Sequence, residues 1–346
     1  MLCAAVVNRR IATIPTMSNK KIGRRAAVVM LSAVLSLVLV ACSHGGSTPQ
    51  PNRTESQRTP SGAGLQTALG RIAATAANRN GIYYDDTAAL TKLTGGDHTK
   101  GFGPLIGIGS SSLSSMGEPL HDDTGIDVMG ETYAISAGQP PKALTVVAGG
   151  QDSKLVTSRL TKLGWKPTGG LLTAPSLTAT YGIQLPKVRP SGSDVIIGGT
   201  DADLGEAGDP SGTTLADDAL TSSLAGCLGD VVAAYLASGS TVASSDLTEL
   251  AVGVARPADS SATPRAIVCT AWSAAGAASK YEAAARTALK SGISAASNKP
   301  YSSYLKNPEV TTVGGPQHLV RWQADTPGNA SMIISMVVRR DLPGLN

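Results

Sequence analysis

Ala143-Leu144-Thr145-Val146-Val147-Ala148, closed by Gly149-Gly150, is the stretch that decides the fold. It is a short apolar run bounded by turn residues, which predicts a buried strand. Asp152 or Ser153 is a suitable N-cap for a helix that follows, and Gly164 is a suitable stop. The same order of strand, helix and glycine returns over residues 266–292. This repetition predicts an internal duplication of the fold.

Each half is expected to contain a helix followed by strand, strand, helix, strand and strand. That order predicts an α+β protein with two similar two-layer domains, each a helix layer on an antiparallel sheet of the ferredoxin-like sandwich type. The first domain is predicted over residues 65–205 and the second over 206–346. A long helix over 216–237 is expected to open the second half, and residues 332–339 are expected to form its last strand.

The N-terminal region has the pattern of an export signal. Four basic residues precede a largely apolar run over 26–41 that contains no charged residue and is short for a membrane span: Lys20, Lys21, Arg24 and Arg25. The run ends in Leu39-Val40-Ala41-Cys42, which resembles the lipobox of bacterial lipoproteins. The resemblance implies that residues 1–41 are a signal peptide and that the Cys42 thiol carries a diacylglycerol lipid.

The predicted lipid determines where the protein is expected to work. Several acyl chains on Cys42 would anchor the chain to the extracytoplasmic face of the cell membrane, which is then one of its partners. Residues 42–64 are rich in Ser, Thr, Pro and Gly, and they are expected to form a flexible tether. A second hypothesis is that translation starts at Met17, because residues 1–16 add nothing that a signal peptide needs.

Charge disfavours one class of partner. Six of the 29 Lys and Arg residues precede Cys42, and none of the 25 Asp and Glu residues does. The chain from Cys42 onward therefore carries 23 basic and 25 acidic side chains. Such a balance lacks the basic surface that nucleic acids require, so no nucleic-acid partner is expected.

Two cysteines remain after Cys3 and Cys42 are assigned to the export region. Cys227 and Cys269 would lie in an oxidising compartment, which favours a disulfide bond between them. A metal site is the alternative, but no histidine stands near either cysteine at a spacing typical of zinc ligands.

Three short segments carry polar or glycine patterns that suggest ligand binding. Gly107-Ile108-Gly109 has some features of a phosphate-binding turn, although no lysine or third glycine accompanies it. Asp122, Asp123 and Asp127 are weak candidates for a calcium site, and 201–206 is a similar acidic turn. Solvated turns explain the same residues, so no metal ion and no cofactor is predicted.

Few residues suggest catalysis. His98, His121 and His318 are the histidines available as a general base outside the N-terminal region, and no Gly-x-Ser-x-Gly motif occurs. Ser303 and Lys306 match the Ser-x-x-Lys spacing of penicillin-recognising enzymes, but the partner motifs of those enzymes are missing.

Turn and cap motifs follow one another through most of the part expected to be exported. They are Thr124-Gly125-Ile126-Asp127, Ser136-Ala137-Gly138, Gly149-Gly150-Gln151-Asp152 and Leu163-Gly164-Trp165. In these motifs the chain resembles uncharacterised envelope lipoproteins of high-GC Gram-positive bacteria. The resemblance implies a fold and names no catalytic residue.

The sequence therefore predicts a non-catalytic, lipid-anchored envelope protein with an unknown protein or small-molecule partner. A ligand-binding module would have a closed pocket between the two domains. An interaction module would instead expose an apolar patch. The alternative is an extracytoplasmic hydrolase that uses His98, His121 or His318 as its base.

Overall fold

A computed structural model of the chain describes residues 64–238 and 246–345. The predicted signal peptide, Cys42 and the tether up to residue 63 lie outside these ranges. The helices are α1 (Leu65–Leu69), α2 (Thr87–Thr94), α3 (Gly117–Thr124), α4 (Ser153–Lys162), α5 (Ala219–Leu228), α6 (Ala275–Ser291) and α7 (Met332–Val338).

Twelve strands within the described ranges form one antiparallel sheet, in the order β11-β12-β10-β9-β8-β1-β2-β3-β7-β6-β5-β4. Their bounds are β1 (Ile82–Asp85), β2 (Tyr133–Ala137), β3 (Leu144–Ala148), β4 (Lys166–Thr168), β5 (Leu171–Thr173), β6 (Lys187–Ser191), β7 (Asp194–Gly198), β8 (Val231–Ser238), β9 (Leu247–Ala255), β10 (Arg265–Trp272), β11 (Lys306–Val313) and β12 (Leu319–Asp325).

The sheet contains the same arrangement twice. In the first half the order β1-β2-β3-β7-β6 runs outward from the centre, and in the second half β8-β9-β10-β12-β11 runs outward in the other direction. A helix follows the third strand of each set and precedes the last two: α6 leads from β10 to β11 and β12, while after α4 the additional strands β4 and β5 come before β6 and β7. The first strands of the two sets, β1 and β8, pair antiparallel in the middle of the sheet. This topology is the one expected of two repeats joined edge to edge.

Both faces of the sheet are covered. Ile82 and Tyr84 of β1 point to a core shared with α1 and α5. Tyr83 points to the opposite face. Helices α2, α6 and α7 cover one part of that face, and α3 and α4 cover another, so this face carries two core clusters. The outer strands β4 and β11 are the edges of the sheet, and each carries a proline, which cannot donate to a further strand.

The predicted class, α+β with an antiparallel sheet, agrees with the structure. The ferredoxin-like layout is not confirmed, because each half has three strands before its connecting helix, and in the first half α2 and α3 lie between β1 and β2. The division between residues 205 and 206 stays a prediction. Strands from both sides of it belong to one continuous sheet through the pairing of β1 with β8.

The long helix predicted over 216–237 is wrong. Helix α5 ends at Leu228, and Gly229 follows with φ 73°, a conformation that glycine adopts readily. Residues 231–238 then form β8, which pairs with β1 and β9 and is buried along seven of its eight residues. A strand covered on both faces has no polar alternation, and its apolar run cannot be distinguished from a buried helix by periodicity.

The strand predicted over 332–339 is also wrong. These residues form α7, whose Ile333, Ile334, Met336 and Val337 are buried against the sheet. The spacing of 333, 336 and 337 is helical, but it is obscured because most of the neighbouring residues are apolar too. Packing of this apolar face, rather than the β-branched composition, decides the structure.

The predicted strand at 143–148 and the helix after it are present as β3 and α4. The Asp152 carboxylate caps α4 by accepting hydrogen bonds from Lys154 N at 2.9 Å and Leu155 N at 3.1 Å. Cys227 on α5 and Cys269 on β10 are joined by a disulfide bond, with their Cα atoms 6.2 Å apart. The bond links a covering helix to the sheet, in agreement with the predicted pairing.

Candidate functional site

One row of side chains crosses the sheet on a single face and shows how the two halves differ. The stacked rings of Tyr83 and Tyr235, 4.3 Å apart, stand at its centre, on the two strands that join the repeats. Towards the second half the row continues through Val252, Val268 and Trp322. Towards the first half it continues through Ser136, Thr145 and Ile197.

In the second half this face is a closed core. Trp322 is fully buried and donates to Tyr281 Oη of α6 at 2.9 Å. Two residues further along the strands, Val254, Ala266 and Ala324 form the next row, and they share a core cluster with the side chains of α7. The chain after β12 therefore returns over this face and fills the space with apolar side chains.

In the first half the chain after β7 goes to the opposite face. Ala202 and Leu204 pack there with Ile82 and Tyr84, so no counterpart of α7 covers Ser136 and Thr145. A cavity of about 410 Å³ lies at this place. That volume is within the usual range for small-molecule pockets. The cavity is thus the position that an apolar helix fills in the other repeat.

The cavity has a distinct chemistry. Its lining contains no Asp, Glu, Lys, Arg or His side chain. The hydroxyls of Ser136 and Thr145 stand on its floor, and Leu177 and Ile183 line it with 50% and 70% of their surface exposed. Ser136 is only 6% exposed, and its Oγ has no hydrogen-bond partner within the described residues. A buried hydroxyl without a partner costs free energy, which a ligand hydrogen bond would recover.

The cavity lies within the first half. All its lining residues fall between Tyr83 and Thr200. The sequence-based expectation for a ligand-binding module was a pocket between the two domains, and this cavity is not at that position. The cavity lies within the first half because the chain after β7 passes to the opposite face of the sheet and leaves this space open.

One wall of the cavity is held by a buried carboxylate. Ser110, Ser111, Ser112 and Leu113 form this wall, directly after Gly107-Ile108-Gly109. The amides of Gly107 and Gly109 donate to the Asp85 carboxylate at 3.1 and 2.6 Å. A Cβ atom at position 109 would collide with the carbonyl oxygen of Ala134, so the close approach requires glycine. The glycine turn that suggested a phosphate site thus binds a carboxylate of its own chain.

Asp85 is paired with a second buried acid through Thr87. The Thr87 Oγ1 atom lies 2.9 Å from Asp85 Oδ2 and 2.9 Å from Glu131 Oε1. A hydroxyl has one proton to donate, so it can satisfy only one of these carboxylates. The other contact requires a proton on the acid. The hydrogen-bond geometry therefore calls for one shared proton in the group formed by Asp85, Thr87 and Glu131.

The electrostatics assign that proton to Glu131. Burial, reinforced by the charge of Asp85, raises the pKa of Glu131 well above its usual range. Burial also raises the pKa of Asp85, to about 6, although the bonds from Gly109, Gly107 and Thr87 oppose the increase. Glu131, whose pKa is raised the more strongly, is therefore the acid that keeps the shared proton and donates to Thr87, while Asp85 is the acid that ionises and holds the wall.

This assignment predicts the effect of Glu131→Gln on pH dependence. An acid whose pKa is higher in the folded than in the unfolded protein takes up a proton on folding, so stability falls as pH rises through that interval. As the pH rises above the usual range of a glutamate, we expect the free energy of unfolding of the wild type to fall by about 1 kcal/mol more per pH unit than that of Glu131→Gln.

Urea unfolding at several pH values measures this difference. Glu118→Gln, which neutralises an exposed acid on α3, is the matched control and should keep the wild-type slope. Equal slopes for the wild type and Glu131→Gln would show that Glu131 is already ionised in the folded protein.

The weak metal candidates do not form a cluster. Asp123 accepts from Tyr181 Oη at 2.7 Å, and Asp127 accepts from the amides of Met129 and Gly130 in a turn. The side chain of Asp122 is 75% exposed, beside His121. Within 64–238 and 246–345, no three His, Cys, Asp or Glu residues are grouped as metal ligands. The acidic turn at 201–206 supplies a cap, because Asp203 accepts from Gly205 N at 2.8 Å.

The three histidines lie on separate elements. His98 is exposed in the loop after α2, His121 lies on α3, and His318 is half-buried immediately before β12. In the part of the chain that the structure describes, none of them hydrogen-bonds to a serine, and His121 has an acidic neighbour in Asp122 at 3.6 Å. Ser303 donates to the carbonyl of Pro300 and Lys306 to that of Ser302, so this pair makes local contacts only.

Another groove, of about 520 Å³, lies between α6 and the edge strand β11. Two of its charged groups have partners: Arg286 binds Glu282 at 2.7 Å and the Val310 carbonyl at 2.6 Å, and Glu309 binds Arg265 at 3.0 Å. The bond from Arg286 occupies a main-chain acceptor of the edge strand β11.

Comparison with known proteins finds no matching family model, no similar curated sequence and no similar solved structure. None of the helices in the described ranges combines the length and the apolar character that crossing a bilayer requires.

Proposed function

We propose that this chain is a non-catalytic, lipid-anchored envelope protein that binds a small ligand in the cavity over Ser136. The lipid on Cys42 would hold it at the extracytoplasmic face of the membrane, as the resemblance of residues 39–42 to a lipobox implies. The observation that carries the ligand-binding proposal is the unfilled position in the first repeat, where the equivalent space of the second repeat is a closed apolar core.

The lining indicates what the cavity would bind. Apolar and uncharged walls favour the apolar body of a ligand, since a charge placed there would be desolvated without a partner. The unpartnered Ser136 Oγ favours a ligand group that donates or accepts one hydrogen bond at the floor.

Native mass spectrometry of the protein released gently from its own envelope tests the proposal. The wild type should carry extra mass of a few hundred daltons, as expected of a molecule that fills a pocket of this volume. Ser136→Leu places an apolar side chain in the cavity and should abolish the extra mass. Ser136→Ala is the matched control, because it removes the hydroxyl and leaves the space open.

For Ser136→Ala we expect the ligand to remain but to bind about 2–10 times more weakly, as for the loss of one hydrogen bond. Its thermal midpoint without ligand should equal or exceed that of the wild type, because the hydroxyl has no partner in the fold. A bare wild-type protein, or extra mass that persists in a folded Ser136→Leu variant, would contradict ligand binding in this cavity.

A further inference from the structure

A surface on the second repeat combines exposed apolar side chains with positive charges. It is formed by residues 293–304, which follow α6, and by residues 332–340, which include α7, and we call it the α6–α7 surface. Ile293 and Val338 on this surface are 63% and 68% exposed. Among the described residues only Ile183 is exposed to a similar degree. Grouped apolar side chains that remain in water mark contacts with other proteins or with membranes.

The two segments lie next to each other, so they form one surface. The backbone of Ile293 forms a bridge with Pro300, and the Ser294 amide donates to the Lys299 carbonyl at 2.9 Å. Lys299 and Arg339 then line the same groove, of about 230 Å³, between the loop after α6 and one side of α7. The groove is also lined by the apolar or aromatic side chains of Ala296, Tyr304, Met332 and Met336.

The exposed charges of this surface are all positive. They belong to Lys299, Arg339 and Arg340, and neither segment contains an Asp or Glu residue. Within the described residues none of the three cations forms an ion pair. Three positive charges are therefore available to an external anionic partner.

The acid that follows the second segment does not neutralise these charges at the surface. Asp341 is 4% exposed, and its carboxylate accepts hydrogen bonds from Ser294 Oγ at 2.5 Å, Tyr301 Oη at 2.9 Å and Ala295 N at 3.0 Å. It thus holds the loop after α6 against the end of α7 and is turned away from solvent.

We propose that the α6–α7 surface docks on an anionic lipid bilayer, with Ile293 and Val338 among the headgroups and the three cations beside the lipid phosphates. Charge complementarity supports this partner, because anionic leaflets attract basic side chains and their interface accepts neighbouring apolar ones. A nucleic acid would match the cations but would leave the two apolar side chains in water. Docking is independent of the ligand cavity, and it would give a protein held by the proposed lipid anchor a fixed orientation.

Vesicle binding tests the docking on the full exported chain with Cys42→Ala, so that no lipid on the protein contributes. The vesicles contain phosphatidylglycerol and phosphatidylcholine in equal parts, or phosphatidylcholine alone. At low salt we expect binding to the anionic vesicles to be about a hundred times tighter, because each of three cations contributes about fivefold. High salt should remove most of this difference by screening. Co-sedimentation with the vesicles measures both affinities.

Two pairs of substitutions assign the binding to this surface. Lys299→Gln with Arg339→Gln should weaken binding to the anionic vesicles about 20-fold, as for the loss of two cations. Lys154→Gln with Lys162→Gln is the matched control, because it removes two exposed charges from α4 in the first repeat. The control should weaken binding by less than about twofold. Equal thermal midpoints of the two variants exclude a disturbed fold.

Insertion of the apolar side chains has its own measurement. The native tryptophans are buried, so a tryptophan introduced at an exposed position reports its own surroundings. In the vesicle-bound chain, the emission of Ile293→Trp should be quenched by phospholipids with brominated acyl chains. Leu163→Trp, at an exposed leucine after α4, is the control and should keep its emission.

Several results would overturn the docking. They are absent or equal binding to the two kinds of vesicle, equal losses in the two charge variants, and equal quenching of the two introduced tryptophans. Binding of RNA or of an acidic protein that requires Lys299 and Arg339, without vesicle binding, would assign the surface to a different partner. None of these results bears on ligand binding over Ser136, which the Ser136→Leu variant tests separately.

Discussion

Replacing both cysteines of the disulfide, as Cys227→Ala with Cys269→Ala, is expected to lower the free energy of unfolding by about 4 kcal/mol. The bond joins residues 42 apart in sequence, and the unfolded chain gains the entropy of that loop when the bond is absent. The native contacts around it remain, because Arg321 Nε still donates to the Cys227 carbonyl at 3.0 Å. Leu224 and Leu228 still pack α5 against the sheet.

Urea unfolding with and without a reducing agent provides the measurement and its control. The wild type should lose stability when it is reduced, and the double variant should not respond to the reductant. Non-reducing peptide mapping of the wild type should recover Cys227 linked to Cys269. Free thiols at both positions, or equal stability of wild type and double variant, would contradict the bond.

The second large effect is expected from Cys42→Ala, which should abolish retention of the protein in the membrane fraction. The acyl chains implied by the lipobox resemblance would supply the attachment, since one buried methylene group contributes about 0.8 kcal/mol and several chains act together. Within the described residues no helix is suited to cross the bilayer in their place.

Fractionation of cells that express each variant tests this expectation. Cys3→Ala is the matched control, because it removes the other N-terminal cysteine and should leave the protein with the membrane. If Cys42→Ala stays with membranes after a high-salt wash, an attachment other than the lipid on Cys42 holds the protein there.

Local sequence patterns determined a large part of the fold. Turn glycines and the cap residue Asp152 mark the ends of β3 and α4 in the sequence. The order of strand, helix and glycine at 266–292 predicts a repeat of that unit, and the strand order of the sheet contains this repeat. The cysteine pairing also followed from composition and compartment. These features could be predicted because caps, turns and disulfides depend on a few residues and on the chemical environment.

The two wrong secondary-structure predictions concern segments that are buried by tertiary packing, which removes the alternation of polar and apolar residues. Residues 231–238 lie in the centre of a sheet covered on both faces, so they contain no alternation. Residues 332–338 are helical because their apolar side chains cover the sheet. The glycine turn at 107–109, which the sequence suggests as a phosphate site, binds the Asp85 carboxylate of the same chain instead.

The sequence by itself determined the repeated units, the disulfide and the near-neutral charge that disfavours nucleic acids. Only the tertiary structure decided the candidate site. The chain after β12 covers one face of the sheet with α7, whereas the chain after β7 passes to the opposite face and leaves the equivalent position open as the cavity. Ser136 belongs to a turn motif and Thr145 to the apolar run of β3, and neither pattern predicts a ligand site. They meet Ile197 in one row because β2, β3 and β7 pair antiparallel, and a linear pattern does not record that register.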